Sequence, residues 1–146
     1  MKRVLLVVVV VALATASAAF ATKPGPGSST GTARVFVPNP VQDLGNEGLT
    51  DQKDADFAAL APAYHTVTLT RLDGSGYLNG DYATIVAGTG SVAYSATNTF
   101  LYDRHQDEFE QVMGYYWITQ AQEYIQSLGF GTDKPLPPIN QEPQRL

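Results

Sequence analysis

The chain opens on an unbroken apolar run, Val4 to Leu13, preceded by Lys2 and Arg3 and followed by Ala14-Thr15-Ala16-Ser17-Ala18. A basic start, a short apolar stretch and then small residues predict a secretory signal peptide over residues 1–21. Signal peptidase needs small side chains at the first and third positions before the cut, and Ala19-Phe20-Ala21 supplies them. The competing reading is an uncleaved anchor, because Val4 to Ala21 is nearly long enough to span a bilayer. Thr15 and Ser17 within that stretch argue against it. Residues 22–33 (TKPGPGSSTGTA) are dominated by Pro, Gly, Ser and Thr, and predict a flexible leader ahead of the fold.

Alternation of apolar and polar positions starts at Arg34-Val35-Phe36-Val37, a strand stopped by Pro38-Asn39-Pro40. Val41 to Gly48 reads as irregular. Thr50 and Asp51 are candidate caps for a short helix over Ala55 to Leu60, ending before Pro62. Thr66 to Leu72 is the clearest strand, with Val67, Leu69 and Leu72 mostly on one face and threonines suited to a half-wet sheet. Asp73-Gly74-Ser75-Gly76 is a turn by composition. Tyr77-Leu78, Tyr82 to Val86, Val92 to Tyr94 and Phe100 to Tyr102 predict further short strands separated by Gly-rich turns.

From Asp107 the period lengthens to that of a helix. Phe109, Val112, Met113, Tyr116, Ala121, Tyr124, Ile125 and Leu128 recur at helical spacing, and Gly129 supplies a left-handed stop. Asp107 and Glu110 stand at capping-box spacing at its start. The consecutive Tyr115, Tyr116, Trp117 and Ile118 point around most of the circumference. Two readings follow: Trp117 and one tyrosine lie at the rim or in an interface, or a missing part of the protein covers this helix. The expected fold class is α+β, with short, mostly antiparallel strands followed by one long helix and an extended Pro-rich tail.

Composition narrows the function. Cleavage after Ala21 leaves 125 residues, at most one domain, and takes the formal charge from −5 to −7. An acidic chain without a basic stripe is a poor partner for nucleic acid, and once the signal is removed no membrane segment remains. The absence of cysteine removes thiol catalysis and thiolate–zinc sites. Localisation is expected to be secreted or extracytoplasmic.

Candidate chemistry is sparse. His65 and His105 are forty positions apart, whereas the zinc-protease motif needs two histidines four apart on one helix beside a glutamate. Both read as solvated loop histidines. Asp51, Asp54 and Asp56 have neither the spacing nor the glycine of an EF-hand loop, and an acidic helix start explains them as well as calcium does. Ser75, Ser91 and Ser95 lie in Gly- or Ala-flanked turns, with no Gly-x-Ser-x-Gly elbow. The sequence therefore predicts no catalytic, cofactor-binding or metal-ligating residue in this chain.

Phe100-Leu101-Tyr102-Asp103-Arg104, Phe109 to Tyr116, Ala121 to Phe130 and Pro138-Ile139-Asn140 resemble a stretch of bacterial secreted metallopeptidases related to fungalysin and, more distantly, thermolysin. Val35 to Val41 and Leu72 to Leu78 are similar to the strands that open that domain. The resemblance covers residues 34–146 and implies the N-terminal, β-rich lobe of a metallopeptidase, with a helix beneath the cleft. It also implies that the zinc ligands come later in a full-length protein, which would hold zinc and take a peptide or protein substrate. Where the family has a Tyr-Tyr-His run, this chain reads Tyr115-Tyr116-Trp117, and no catalytic role is carried onto those residues. The resemblance thus predicts an inactive fragment whose partner is the missing C-terminal part of the same domain. The alternative is a complete exported β-rich binding module without enzymatic activity.

Overall fold

A computed structural model of the chain describes residue 27, residues 29–51, 55–86 and 90–130, and the strand at 144–145. The expected signal peptide, residues 22–26 of the leader and the Pro-rich stretch of the tail lie outside the described residues.

The architecture is α+β. A long strand, β1 (Ser29–Phe36), pairs antiparallel with β2 (Tyr64–Leu72) on one side and parallel with the short β4 (Thr99–Phe100) on the other. This mixed sheet, in the order β2-β1-β4, packs against one helix of 21 residues, α2 (Asp107–Ser127). A second, two-stranded parallel pair joins β3 (Ala83–Thr84) to β5 (Gln144–Arg145).

The leader expected over residues 22–33 is corrected at its end, because β1 already begins at Ser29. Ser29 to Thr32 offer little apolar surface, but their backbone groups find partners in β2, and Thr32 donates to the Asn98 carbonyl at 2.8 Å. Gly31 is required there, since a Cβ would lie 2.6 Å from the Asn98 carbonyl oxygen. Farther along, Ala33 and Val35 point into the core while Arg34 stays half-buried on the other face, as a period of two demands.

Two loop expectations are also revised. The segment after β1 holds a helical turn, α1 (Pro40–Leu44), following a cis Val37–Pro38 peptide. Asn39 caps it by accepting from the Gln42 N–H at 3.0 Å, Pro40 occupies its first turn, and Gly45 closes it in the left-handed region at φ 59°. The helix expected over Ala55 to Leu60 is a 3₁₀ turn at Ala58–Ala63 that runs through Pro62. Phe57, rather than Thr50 or Asp51, stands at its start and makes no side-chain cap. Of the short strands, Tyr77 and Tyr94 form only an isolated bridge, and Tyr82 to Val86 shrinks to β3.

The long helix lies where its periodicity places it. Its cap is Gln106, whose side chain turns back to accept from the Asp103 N–H at 2.8 Å, so the box expected from Asp107 and Glu110 is not the capping device. Gly129 at φ 103° donates to the Gln126 carbonyl at 2.9 Å and ends the helix. Phe109, Val112, Tyr115 and Thr119 form its buried stripe. The core this stripe covers has two lobes. One is built on Val35, Leu69, Leu72, Leu78 and Phe100 under Val112 and Tyr115. The other joins Phe36, Leu60 and Ala63 to Phe109. Tyr102 and Met113 touch both.

Candidate functional site

Every described side chain that the sequence put forward for chemistry is engaged in holding the fold or sits in solvent. His65 is the second residue of β2, and its Nε2 lies 2.6 Å from Asp43 Oδ2 of α1. That contact ties the strand to the short helix. His105 is exposed in the turn entering α2. Asp51 pairs with Arg104, and Asp56 accepts from the Tyr64 hydroxyl at 2.7 Å, whereas Asp54 lies outside the described residues. Ser75 and Ser95 build turns. Ser75 Oγ accepts from the Tyr77 N–H, and Ser95 Oγ accepts from the Thr99 N–H at 2.9 Å. The Ser91 carbonyl accepts from Gln111 on α2. Among the described residues no three His, Cys, Asp or Glu side chains gather where they could hold a metal ion, and no helix is long and apolar enough to cross a membrane.

A cluster that the sequence did not point to forms where β2 is distorted. Leu69 pairs with Gly31 and Leu72 with Ser29, so Thr70 and Arg71 together oppose Thr30. This is a β-bulge, and Arg71 takes the left-handed conformation at φ 63° to make it. The two carbonyls of the bulge take partners outside the β1–β2 ladder. Tyr115 Oη of α2 donates to the Thr70 carbonyl at 2.8 Å, and the Asp81 N–H donates to the Arg71 carbonyl at 3.2 Å. Gly80 passes through the same point, where a Cβ would collide with the Arg71 carbonyl and the Tyr115 hydroxyl.

The same distortion aims the Arg71 guanidinium at α2. Its Nε donates to Glu123 at 3.0 Å, which raises the Arg71 pKa above its ordinary value, and Thr70 Oγ1 donates to the same carboxylate at 3.3 Å. Burial pushes the Tyr115 phenol well above its usual range, keeping it a proton donor. The bulge therefore clamps the middle and C-terminal turns of α2 to the sheet edge. Its contacts fasten one element to another and make it a structural device.

Two surface features stand out among the described residues. The first is the outer side of α2. Trp117, Tyr124 and Leu128, at 36%, 65% and 54% exposure, share one stripe with Ala121, and Ile125 at 37% flanks it. Their spacing of three and four places them on the side away from Phe109, Val112, Tyr115 and Thr119. Trp117 packs edge-on against Tyr116, with ring centroids 5.1 Å apart. The second surface is a cavity of about 300 Å³ between the start of α1, residues 49–51 and the 3₁₀ turn. Phe36, Val41, Leu49 and Leu60 line it with apolar atoms, and Arg104 and Asp51 border it as an ion pair.

Sequence reasoning missed both the bulge and the cavity. The bulge leaves no compositional mark, because Thr70-Arg71 continues the strand pattern. The start of α1 was legible, since Asn39-Pro40 with Gly45 five residues later is a cap, first-turn proline and glycine stop. Compared with protein-family models, curated proteins and solved structures, the chain matches none.

Proposed function

We propose that this chain is the N-terminal lobe of an exported zinc metalloendopeptidase, inactive by itself and completed by a second lobe that supplies zinc and catalytic residues. No cluster among the described residues suits zinc, so no catalytic step is assigned to side chains of this lobe. Its contribution is a rigid platform, with α2 fastened to the sheet by Tyr115 and Glu123.

The observation that carries the reading is the second apolar face of α2. A helix that packs on one side only turns polar residues to water on the other. Here Trp117, Tyr124, Ile125 and Leu128 are left on the outer side. Covering such a stripe gains about 25 cal/mol for each Å² of apolar surface removed from water. The sequence resemblance, which implies a helix beneath the cleft of a metallopeptidase, supports a second lobe of the same domain as the covering element.

The test is to read the coding sequence beyond the codon for Leu146. An open frame that continues into a His-Glu-x-x-His helix and a downstream acidic ligand is the expected result. A frame without that motif overturns the peptidase reading and leaves an exported binding module, with the outer face of α2 turned to a separate partner.

A further inference from the structure

The cavity beside α1 has features that neither the platform role nor the outer face of α2 uses. Its walls are aliphatic and aromatic, from Phe36, Val41, Leu49 and Leu60, and its volume of about 300 Å³ lies at the small end of ligand pockets. Among the described residues that line it, Arg104 is the cationic side chain. That side chain is only 16% exposed, while the Asp51 carboxylate paired with it is 78% exposed. The backbone N–H of Arg104 donates to the Tyr64 hydroxyl at 2.9 Å, which fixes this residue beside the pocket. Asp51 reaches the guanidinium from the solvent side and is easily exchanged, because an ion pair with one partner in water contributes little.

We propose that this cavity binds a carboxylate carried on a short aliphatic body, with the apolar part against Phe36, Leu49 and Leu60 and the carboxylate on Arg104 in place of Asp51. A guanidinium presents donors in a planar fork that matches a carboxylate, and a partly buried one binds it more firmly than an exposed one does. The aliphatic body supplies what Asp51 lacks, apolar surface to remove from water. Asp51 then acts as a resident competitor for one side of the guanidinium when the pocket is empty. Two sources present this chemistry, a free branched-chain acid and the C-terminal residue of a peptide. This inference is independent of the proposed peptidase origin, since it concerns a pocket made wholly within this chain.

The experiment is titration of the whole chain by two-dimensional NMR with 4-methylpentanoate, N-acetyl-leucine and N-acetyl-leucine amide. Saturable shifts at Leu49, Leu60 and Arg104 are expected from one or both acids, with Kd on the order of a millimolar for ligands of roughly eight to twelve heavy atoms. Tighter binding of N-acetyl-leucine assigns the site to chain ends, and tighter binding of 4-methylpentanoate assigns it to free acids. The neutral amide should bind at least roughly tenfold more weakly, as expected when a charge-assisted pair is lost. Asp51→Asn removes the competitor and should tighten acid binding by up to about fivefold. Val41→Phe fills the cavity from its exposed side and should abolish binding while leaving Arg104 in place. Equal binding of acid and amide, no saturable shift with either acid, or unchanged affinity in both variants overturns the assignment.

Discussion

Replacing Tyr115 by Phe removes one oxygen from a fully buried side chain and leaves its ring packing intact. What is lost is the 2.8 Å hydrogen bond to the Thr70 carbonyl. That carbonyl belongs to the bulge at Thr70 and Arg71, where the pairing of β2 with β1 is interrupted. The substitution therefore removes a hydrogen bond and strands a part-buried acceptor as well. A net bond contributes about 1 kcal/mol, and an abandoned acceptor adds a comparable penalty reduced by its partial access to water, for a loss of roughly 1.5 kcal/mol. In a domain of this size that corresponds to a fall in Tm of about 6–12 °C. The assay is urea and thermal unfolding followed by circular dichroism and Trp117 fluorescence, with an unchanged m-value as the check that the folded state is the same. Because Glu123 grips Thr70 and Arg71 beside the same point, combining Tyr115→Phe with Glu123→Gln should deviate from additivity by at least about 0.5 kcal/mol. A single-variant loss below about 0.5 kcal/mol, or a fully additive double variant, would refute the view that the bulge is a clamp for α2.

Phe109→Ala opens the second lobe of the core, where Phe109 meets Phe36 and Tyr64 edge-on with centroids 5.0 and 5.7 Å away. It should cost about 3–5 kcal/mol, read as a large drop in the urea midpoint or failure to fold. Burial, with the Asp56 carboxylate beside it, pushes the Tyr64 phenol up to about 12 from its ordinary 10. The folded state favours the neutral phenol, so this stability is complete below pH 10 and is lost as pH rises through 12. Tyr64→Phe should make the alkaline fall in stability shallower, leaving the share from Tyr115, and phenolate absorbance should titrate later in the folded wild type than in its urea-unfolded form. Changing Trp117, Tyr124 and Leu128 together to Ser should leave the unfolding free energy within about 1 kcal/mol of wild type, since exposed positions carry little stability. It should also lower binding of a hydrophobic dye, and a large destabilisation would show that the outer face of α2 is already packed.

How much was legible in the sequence depends on whether an element is held by its own pattern or by its neighbours. The helix from Asp107 was readable because an apolar residue every three or four positions determines one buried face whatever lies opposite. The strand over Thr66 to Leu72 was readable for the corresponding reason at period two. The beginning of β1 was not, because Ser29 to Thr32 carry no apolar signal and are strand only through hydrogen bonds to β2 and Asn98. Histidine and aspartate roles were equally closed to the sequence. His65 and Asp43, 22 positions apart, meet only because α1 folds back over the start of β2.

The sequence by itself determined the α+β class, the long helix with its near-circumferential apolar content, and the glycine and proline punctuation, all local consequences of side-chain shape and period. Tertiary structure decided which side of α2 is buried, because the sheet can cover only one face and Phe109, Val112, Tyr115 and Thr119 are the residues it meets. It also decided the bulge and the Arg104 cavity. Both depend on chain segments that come together from 45 to 68 positions apart, as Thr70 with Tyr115 and Phe36 with Arg104, and no local pattern encodes such distances.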